Sequence, residues 1–583
     1  MLINRQNFRY KVSQWKETFN TNLARRDTQW QPTLLGLLVG IISGSVIIAF
    51  RFLTETGQVR FLPDAKPENY EQLGWPLVLL LPILSALLIG LFFTYFKPEK
   101  KVVGVVHVME RLAYFQGHLG WVGLFKQFVG ATIAIIGGHS VGREGPSIHL
   151  GAASGSLLAQ YLKLPNNTLR TLIACGCSAG IAASFNTPLA GVIFAMEVVI
   201  MEYSVASFIP VILSAVSATS LSILAFGNEA VFSIPPLELT SLRELPFVIL
   251  LGLSAGLIST LFIKGMDITA ARSRDWPFML RVTLAGFIVA LCGLWFPQVM
   301  GIGYDSVNSA MLSEFSLSVL AGVLLFKLIA TTAAVGLGIP GGLIGPTLLI
   351  GAMLGGAIGN ISLLSFPGLV SDAGVYALLG MGAMMAATLQ APLAALIAIL
   401  ELTGNPSIIF PGMLAIVIAE LTRSELFHQP SIFRALLQAR GLDYKANPMS
   451  QLLHRIGVAS VMSKSYVSLP FTITRVEAQE ALKQEPLWLL LENEGSPESA
   501  MPAVDLARYL KEQETAEDID LNEIPAQRRE ISGVHLLSTL KEADDQMHKS
   551  GIDLLFVYDT PAPTFKRTKG ILLKEVIESA YRF

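Results

Sequence analysis

Residues Gly145–Gly155 read GPSIHLGAASG, and residues Gly345–Gly355 read GPTLLIGAMLG. Downstream of the first block, Ala183 to Glu197 reads ASFNTPLAGVIFAME; downstream of the second, Ala387 to Glu401 reads ATLQAPLAALIAILE. Two matched blocks at nearly the same separation mark a duplicated unit, because chance similarity between apolar helices rarely preserves spacing. Both copies are broken by Gly and Pro at corresponding points. In a membrane protein such paired interruptions point to a substrate site near the bilayer midplane, where the copies meet. The copies are inverted if an odd number of crossings separates them, a count that the sequence alone does not fix.

Composition supplies the solvent. The chain has 583 residues, is 52% hydrophobic and 15% charged, and has a mean hydropathy of +0.55, values that place it in a bilayer. Uninterrupted apolar stretches at Thr33–Phe52, Trp75–Phe96, Val205–Phe226, Phe247–Ile263, Val282–Phe296 and Leu317–Val335 approach the roughly twenty residues a crossing helix needs. Four further apolar segments, Ile133–Leu162, Leu169–Ile200, Gly336–Ile361 and Tyr376–Leu402, contain breaks. Such breaks are tolerated at membrane depth only inside protein or along a cavity.

A net charge of −2 gives no basic field for nucleic acid. The three cysteines, Cys175, Cys177 and Cys292, lie in apolar surroundings and read as small buried residues rather than as a disulfide framework or a zinc site. The ends of the chain differ from its middle. Residues 1–30 carry Arg5, Arg9, Lys11, Lys16, Arg25 and Arg26 ahead of the first span and read as a cytoplasmic amphipathic segment by the positive-inside tendency. Residues 31–445 form the membrane domain. From 446 to 583 polar content rises, and apolar strand-like stretches at Leu487–Leu491 and Asp553–Tyr558 are each followed by a turn and a helix. That portion reads as a soluble α/β appendage.

The chemistry concentrates at Gly142-Arg143-Glu144-Gly145-Pro146. Glycines let backbone amides approach a ligand, Pro146 suits the first turn of a helix, and a helix start offers unpaired N–H groups with partial positive charge. That combination binds an anion. Glu144 is an ionisable group at the mouth of such a site, and an intramembrane carboxylate is functional by default; a structural ion pair with Arg143 is the alternative. Gly341-Gly342-Leu343-Ile344-Gly345-Pro346 is the uncharged counterpart in the second copy, with the amides of Leu343 and Ile344 aimed at the same ion. Distributed partial charges attract an ion without trapping it. His107, His139 and His149 titrate near neutral pH and read mainly as lining residues, with His139 close enough in sequence to tune Glu144. Lys126, Lys264 and Lys327 read as interfacial or structural.

Taken together, the GREGP and GGLIGP stretches and the two PLA-containing helices ending in Glu197 and Glu401 resemble the signature elements of the CLC chloride channel and transporter family. The resemblance spans residues 30–440. It implies an all-α polytopic fold of two inverted repeats, a homodimer with a pore in each subunit, and Glu144 as the external gating glutamate. The soluble part resembles the paired CBS domains appended to many members.

Three positions depart from the family pattern. Val103, ahead of Gly104, stands where a serine hydroxyl is usual, and Phe433 stands where a tyrosine is usual, so the central anion would rest mainly on backbone amides; Tyr444 is a distant substitute. Val198 occupies the position of the internal proton glutamate. A valine cannot titrate, which favours channel-like or weakly proton-coupled conduction over chloride/proton antiport, unless Glu202 or a water path serves instead. The anion-binding set implied by the resemblance is therefore Val103, Gly104, Arg143, Gly145, Leu343, Ile344 and Phe433. At Gly570–Glu575 and Met501–Leu506 the nucleotide pattern of a CBS site is missing or loose, which points to a structural role and away from an adenine nucleotide. No metal or catalytic cofactor is expected, chloride is the permeant ion, and the chain is placed in the plasma (inner) membrane with both termini cytoplasmic. The rival classes are a secondary transporter of another inverted-repeat fold and a membrane enzyme; for the latter the sequence offers no clustered metal ligands and no paired nucleophile and base.

Overall fold

The computed structural model describes residues 30–579 except for 97–102, 204, 229–231, 233–238, 240, 368–369, 443–447, 494–495, 514–516 and 563–564. The N-terminal segment and Tyr444 lie outside the described residues. The described residues divide into two compact units, one comprising 30–161 with 170–442, the other 448–579 with 162–169.

The larger unit is helical. Its first copy runs α1 (Trp30–Phe61), α2 (Trp75–Tyr95), α3 (Val105–Tyr114), α4 (Trp121–Ile136), α5 (Glu144–Leu162), α6 (Asn166–Phe185), α7 (Pro188–Phe194, continued by a π turn at Ala195–Ile200) and α8 (Val205–Phe226). The second runs α9 (Leu245–Arg272), α10 (Phe278–Trp295), α11 (Tyr304–Met311), α12 (Leu317–Gly336), α13 (Ile344–Ser365), α14 (Ala373–Leu389), α15 (Pro392–Thr403), α16 (Ile409–Leu421) and α17 (Ile432–Ala439). Among the described residues nine helices are long and apolar enough to cross a bilayer. Leu84, Leu88 and Leu91 on α2 and Leu253, Leu257 and Leu261 on α9 are exposed, as lipid-facing residues are.

Each broken segment of the sequence is two helices, and the breaks repeat. After α4 the chain turns through Gly138 at φ 71°, and after α12 through Gly338 at φ 105°, a backbone that favours glycine. α6 stops at Asn186 (φ 57°) and α14 at Gln390 (φ 60°); in both copies a proline then opens the next helix, where its missing N–H costs nothing. The paired helices after each break touch backbone to backbone. A Cβ on Gly151 would lie 2.0 Å from the carbonyl oxygen of Gly176, and one on Gly355 would lie 1.9 Å from that of Tyr376. Small residues at these crossings replace the hydrophobic drive that lipid removes.

The copies also cap each other. The Glu197 carboxylate accepts the N–H groups of Leu393 (3.3 Å) and Ala394 (2.8 Å) at the start of α15. Reciprocally, that of Glu401 accepts those of Leu189 (2.9 Å) and Ala190 (2.7 Å) at the start of α7. Each carboxylate therefore answers the exposed amides and positive end of a helix from the other copy.

In the smaller unit, Tyr466–Pro470 pairs in parallel with Trp488–Asn493, which continues antiparallel into Ser496–Pro502 and Arg529–Glu530. A three-stranded sheet holds Ser532–His535, Leu554–Ala562 and Phe565–Leu573, the first pair parallel and the second antiparallel. Both sets follow strand, helix, hairpin, helix, with the first helix opened by a capping box, Thr474 with Glu477 and Thr539 with Glu542. The strand-turn-helix pattern expected from the sequence is thus a strand hairpin before each second helix. Separate apolar cores, one around Leu489, Met501 and Leu506 and one around Leu540, Val557 and Leu572, sit behind the sheets.

Candidate functional site

The two glycine-rich turns meet. Gly142 and Gly342 form an antiparallel bridge, with Gly142 N donating to Gly342 O at 2.8 Å and Gly342 N to Gly142 O at 2.7 Å. Beside it Ser140 and Thr331 join through their hydroxyls at 2.8 Å. The bridge brings the starts of α5 and α13 together around one group, the side chain of Glu144, which is fully buried.

Its carboxylate sits in a cradle of backbone. Gly345 N donates to Oε2 at 3.2 Å, and a Cβ on Gly142 would lie 2.0 Å from Oε2, so no larger residue fits there with the carboxylate in place. Oε1 accepts the hydroxyl of Tyr304, the first residue of α11. Arg143 does not pair with it: its guanidinium donates to Glu55 Oε1 (3.2 Å) and to the Ser184 carbonyl (3.1 Å) and lies 5.3 Å from the Tyr304 ring centroid. The negative charge of Glu144 is therefore met by an amide and a hydroxyl, each a charge-assisted donor worth about 1.5–3 kcal/mol when buried.

A polar cavity of about 340 Å³ opens beside Tyr304, lined by Arg51, Glu55, Glu68, Arg143, Tyr304 and Asp305 among others. Half-buried Glu68 accepts the Tyr304 backbone N–H at 3.0 Å. Burial, and secondly the charge of Asp305, push the Glu68 carboxyl up to about 7; burial and then Glu71 do the same for Asp305, also to about 7. Lys327 is buried and donates to the carbonyls of Val299, Gly301 and Ile302 at 3.0, 2.9 and 3.3 Å, pinning the loop that leads into Tyr304. Lys126 is equally buried. Neither lysine is interfacial, whereas Lys264 is exposed.

The remaining predicted residues spread along the fold. Leu343 and Ile344, both buried, cap and open α13; the amide that reaches Glu144 is the next one, that of Gly345. Gly145 packs against Gly342, its would-be Cβ lying 2.6 Å from that residue's Cα. Half-buried Val103 precedes Gly104, which caps α3 at φ 88°. Phe433 is buried on α17. Val198 is buried in the π turn after α7, and Glu202 is buried too. His139 bonds Ser85 Oγ at 3.1 Å and not Glu144; the rings of His107 and His149 lie tilted against each other, centroids 5.6 Å apart. The residue that sequence reasoning passed over is Tyr304. Its signal was Gly301-Ile302-Gly303-Tyr304-Asp305, a glycine-broken turn ending in a phenol between two spans. Among the described residues no group of acidic, histidine or cysteine side chains could hold a metal ion.

The chain is similar to known proteins over most of its membrane part. The family model described as voltage gated chloride channel matches residues 85–424. A putative chloride channel protein, ClcB-like, of Ralstonia nicotianae is 34% identical over 389 residues, covering 65% of this chain and 90% of that one. The H(+)/Cl(-) exchange transporter ClcA of Vibrio parahaemolyticus is 28% identical over 72% of this chain and 93% of its own length. Among solved structures, a slow cyanobacterial Cl-/H+ antiporter superposes with a TM-score of 0.63 at 25% identity, covering 71% of this chain and 99% of that one. A eukaryotic CLC transporter superposes with a TM-score of 0.61 at 19% identity over 93% of this chain and 97% of that one, a likeness of fold. With more than half its length inside the family model, and the paired glycine turns closing on a buried glutamate, the chain is a membrane-embedded member of the CLC family of chloride transport proteins.

Proposed function

We propose that the protein conducts chloride through a pore in each subunit of a homodimer, gated by Glu144, in a channel-like or weakly proton-coupled manner. The observation that carries this reading is the Glu144 carboxylate lying in the amide cradle between the two copies. A carboxylate and a halide carry the same charge and compete for the same donors. Deprotonated Glu144 fills the site; protonation releases it and leaves the amides to the anion. Backbone contributions from Gly104, Gly145, Leu343 and Ile344 then hold the ion, with Val103 and Phe433 adding apolar walls and Arg143 setting the field from its place beside Glu55.

The reciprocal capping by Glu197 and Glu401 and the antiparallel Gly142–Gly342 bridge support inverted copies. With the N-terminus cytoplasmic, the cavity beside Tyr304, which is lined by the last turns of α1, faces outside the cell in the plasma membrane, and the smaller unit is a cytoplasmic CBS-like pair with a structural role. Chloride/proton antiport is the second reading, favoured by relatives that carry the name of H(+)/Cl(-) exchange transporters; with Val198 in place of a titratable residue it requires another internal proton path.

The test is reconstitution in liposomes under a chloride gradient, recording reversal potential and proton movement together. Uphill proton transport driven by chloride selects antiport. Glu144→Gln is expected to hold the pore open and flatten the pH dependence of chloride flux; an unchanged pH response removes Glu144 from the gate.

A further inference from the structure

We propose that Tyr304 is the side-chain hydrogen-bond donor of this anion site: its hydroxyl latches the Glu144 carboxylate when the gate is closed and donates to the anion when Glu144 has left. The proposal rests on Glu144 being the gate. Val103 and Phe433 present no hydroxyl at the central positions, yet a buried phenol arrives from a third direction, α11, and meets Glu144 Oε1 directly. Neither copy's glycine turn supplies it.

The hydroxyl is held in place on every side. The ring packs at 5.9 Å on Phe185 and 5.6 Å on Phe232, and the Arg143 guanidinium stands 5.3 Å from its centroid. The backbone N–H bonds Glu68, while Lys327 fixes the three carbonyls ahead of it. A donor so anchored keeps its direction when the carboxylate swings out, and a phenol O–H left buried without a partner is costly. The group that then occupies the cradle, a dehydrated halide, is the acceptor at hand. The charged groups bearing on Glu144 are Arg143 on its own turn, Glu55 on α1 through Arg143, Glu68 and Asp305 around Tyr304, and Lys327 on α12; Tyr304 is the one among the described residues whose side chain bonds the carboxylate.

Tyr304→Phe removes the hydroxyl and keeps the ring. In liposomes holding the full-length protein, at chloride low enough to leave the open site largely empty, the pH of half-maximal chloride flux is expected to rise by about one unit, because the lost donor then bears on the charged, blocking form alone. Flux well above that midpoint rises about tenfold with it. In the Glu144→Gln background, Tyr304→Phe is expected to weaken chloride binding in titration calorimetry roughly fivefold to tenfold and to leave the flat pH profile flat. An unshifted midpoint, or unchanged chloride binding in the Gln background, overturns the assignment while leaving the gate intact. Should Glu144→Gln itself retain the full pH response, the gate reading fails and the assignment with it. A measurement without any Tyr304 variant stands behind these: in pH-difference infrared spectra of the wild type with ring-labelled tyrosine, a tyrosine C–O band moves together with the carboxyl band that Glu144→Gln abolishes. A carboxyl band that moves alone overturns the latch.

Discussion

Glu68 and Asp305 hold their protons up to about pH 7 because burial opposes their ionisation, with the charge of Asp305 adding to it for Glu68 and that of Glu71 for Asp305. In the unfolded chain both would release those protons near the ordinary carboxyl range. The native state therefore binds more protons than the unfolded one between that range and pH 7, so stability is full below it and falls as pH rises to about 7. The thermal midpoint of the detergent-solubilised protein is expected to drop over this interval, and Glu68→Gln to flatten the drop and raise the midpoint at pH 8; an identical slope in the variant would show that the two carboxyls are not its source. Little of this was legible beforehand. Glu144 announced itself through the glycines and proline around it, whereas Glu68 lies far along the chain from the adjacent Tyr304 and Asp305 and meets them only through the loop that Lys327 pins. In sequence that lysine read as interfacial or structural, and the structure makes it structural: its three carbonyl acceptors come from a stretch about twenty-five residues away.

For the helices, the sequence carried more. Gly and Pro marked where α4, α6, α12 and α14 end, since positive φ and a missing N–H are local properties that need no tertiary information. The partners of the freed amides were not local. Glu197 caps α15 and Glu401 caps α7 across the duplication, and the repeat placed these carboxylates at equivalent positions without showing that they cross over. Replacing either by Ala strips the cap from a helix of the opposite copy and is expected to cost about 1–2 kcal/mol, read as a lower thermal midpoint for both variants; a loss confined to one would break the equivalence. The glycine seams make a sharper prediction. Gly176→Leu puts a side chain where a Cβ already lies 2.0 Å from the Gly151 carbonyl oxygen, so α5 and α6 must separate, at more than the 1–3 kcal/mol typical of overpacking. Loss of monodisperse protein on size exclusion is the expected result, and a well-behaved variant with unaltered flux would show that the seam is softer than its geometry.

Across the whole molecule, polar content rises near residue 445, and the stretch that follows encloses two apolar cores of its own. Residues 446–583 expressed alone are expected to unfold cooperatively on heating, because Leu489, Met501 and Leu506 and, in the second core, Leu540, Val557 and Leu572 are enclosed by residues of that stretch; a broad, featureless melt would contradict this. What the sequence could not supply was the direction of each half, since hydropathy is blind to which end of a helix points where. The Gly142–Gly342 bridge carries a consequence for synthesis. Each strand of that two-residue clasp lends one proton and takes one, and the residues come from opposite ends of some two hundred positions. A nascent chain halted after its first half lacks Tyr304, Gly342 and Gly345, so Glu144 has neither of its donors and Gly142 no bridge partner. The cradle around Glu144 therefore has no partial form: it closes only when the later half meets the earlier one.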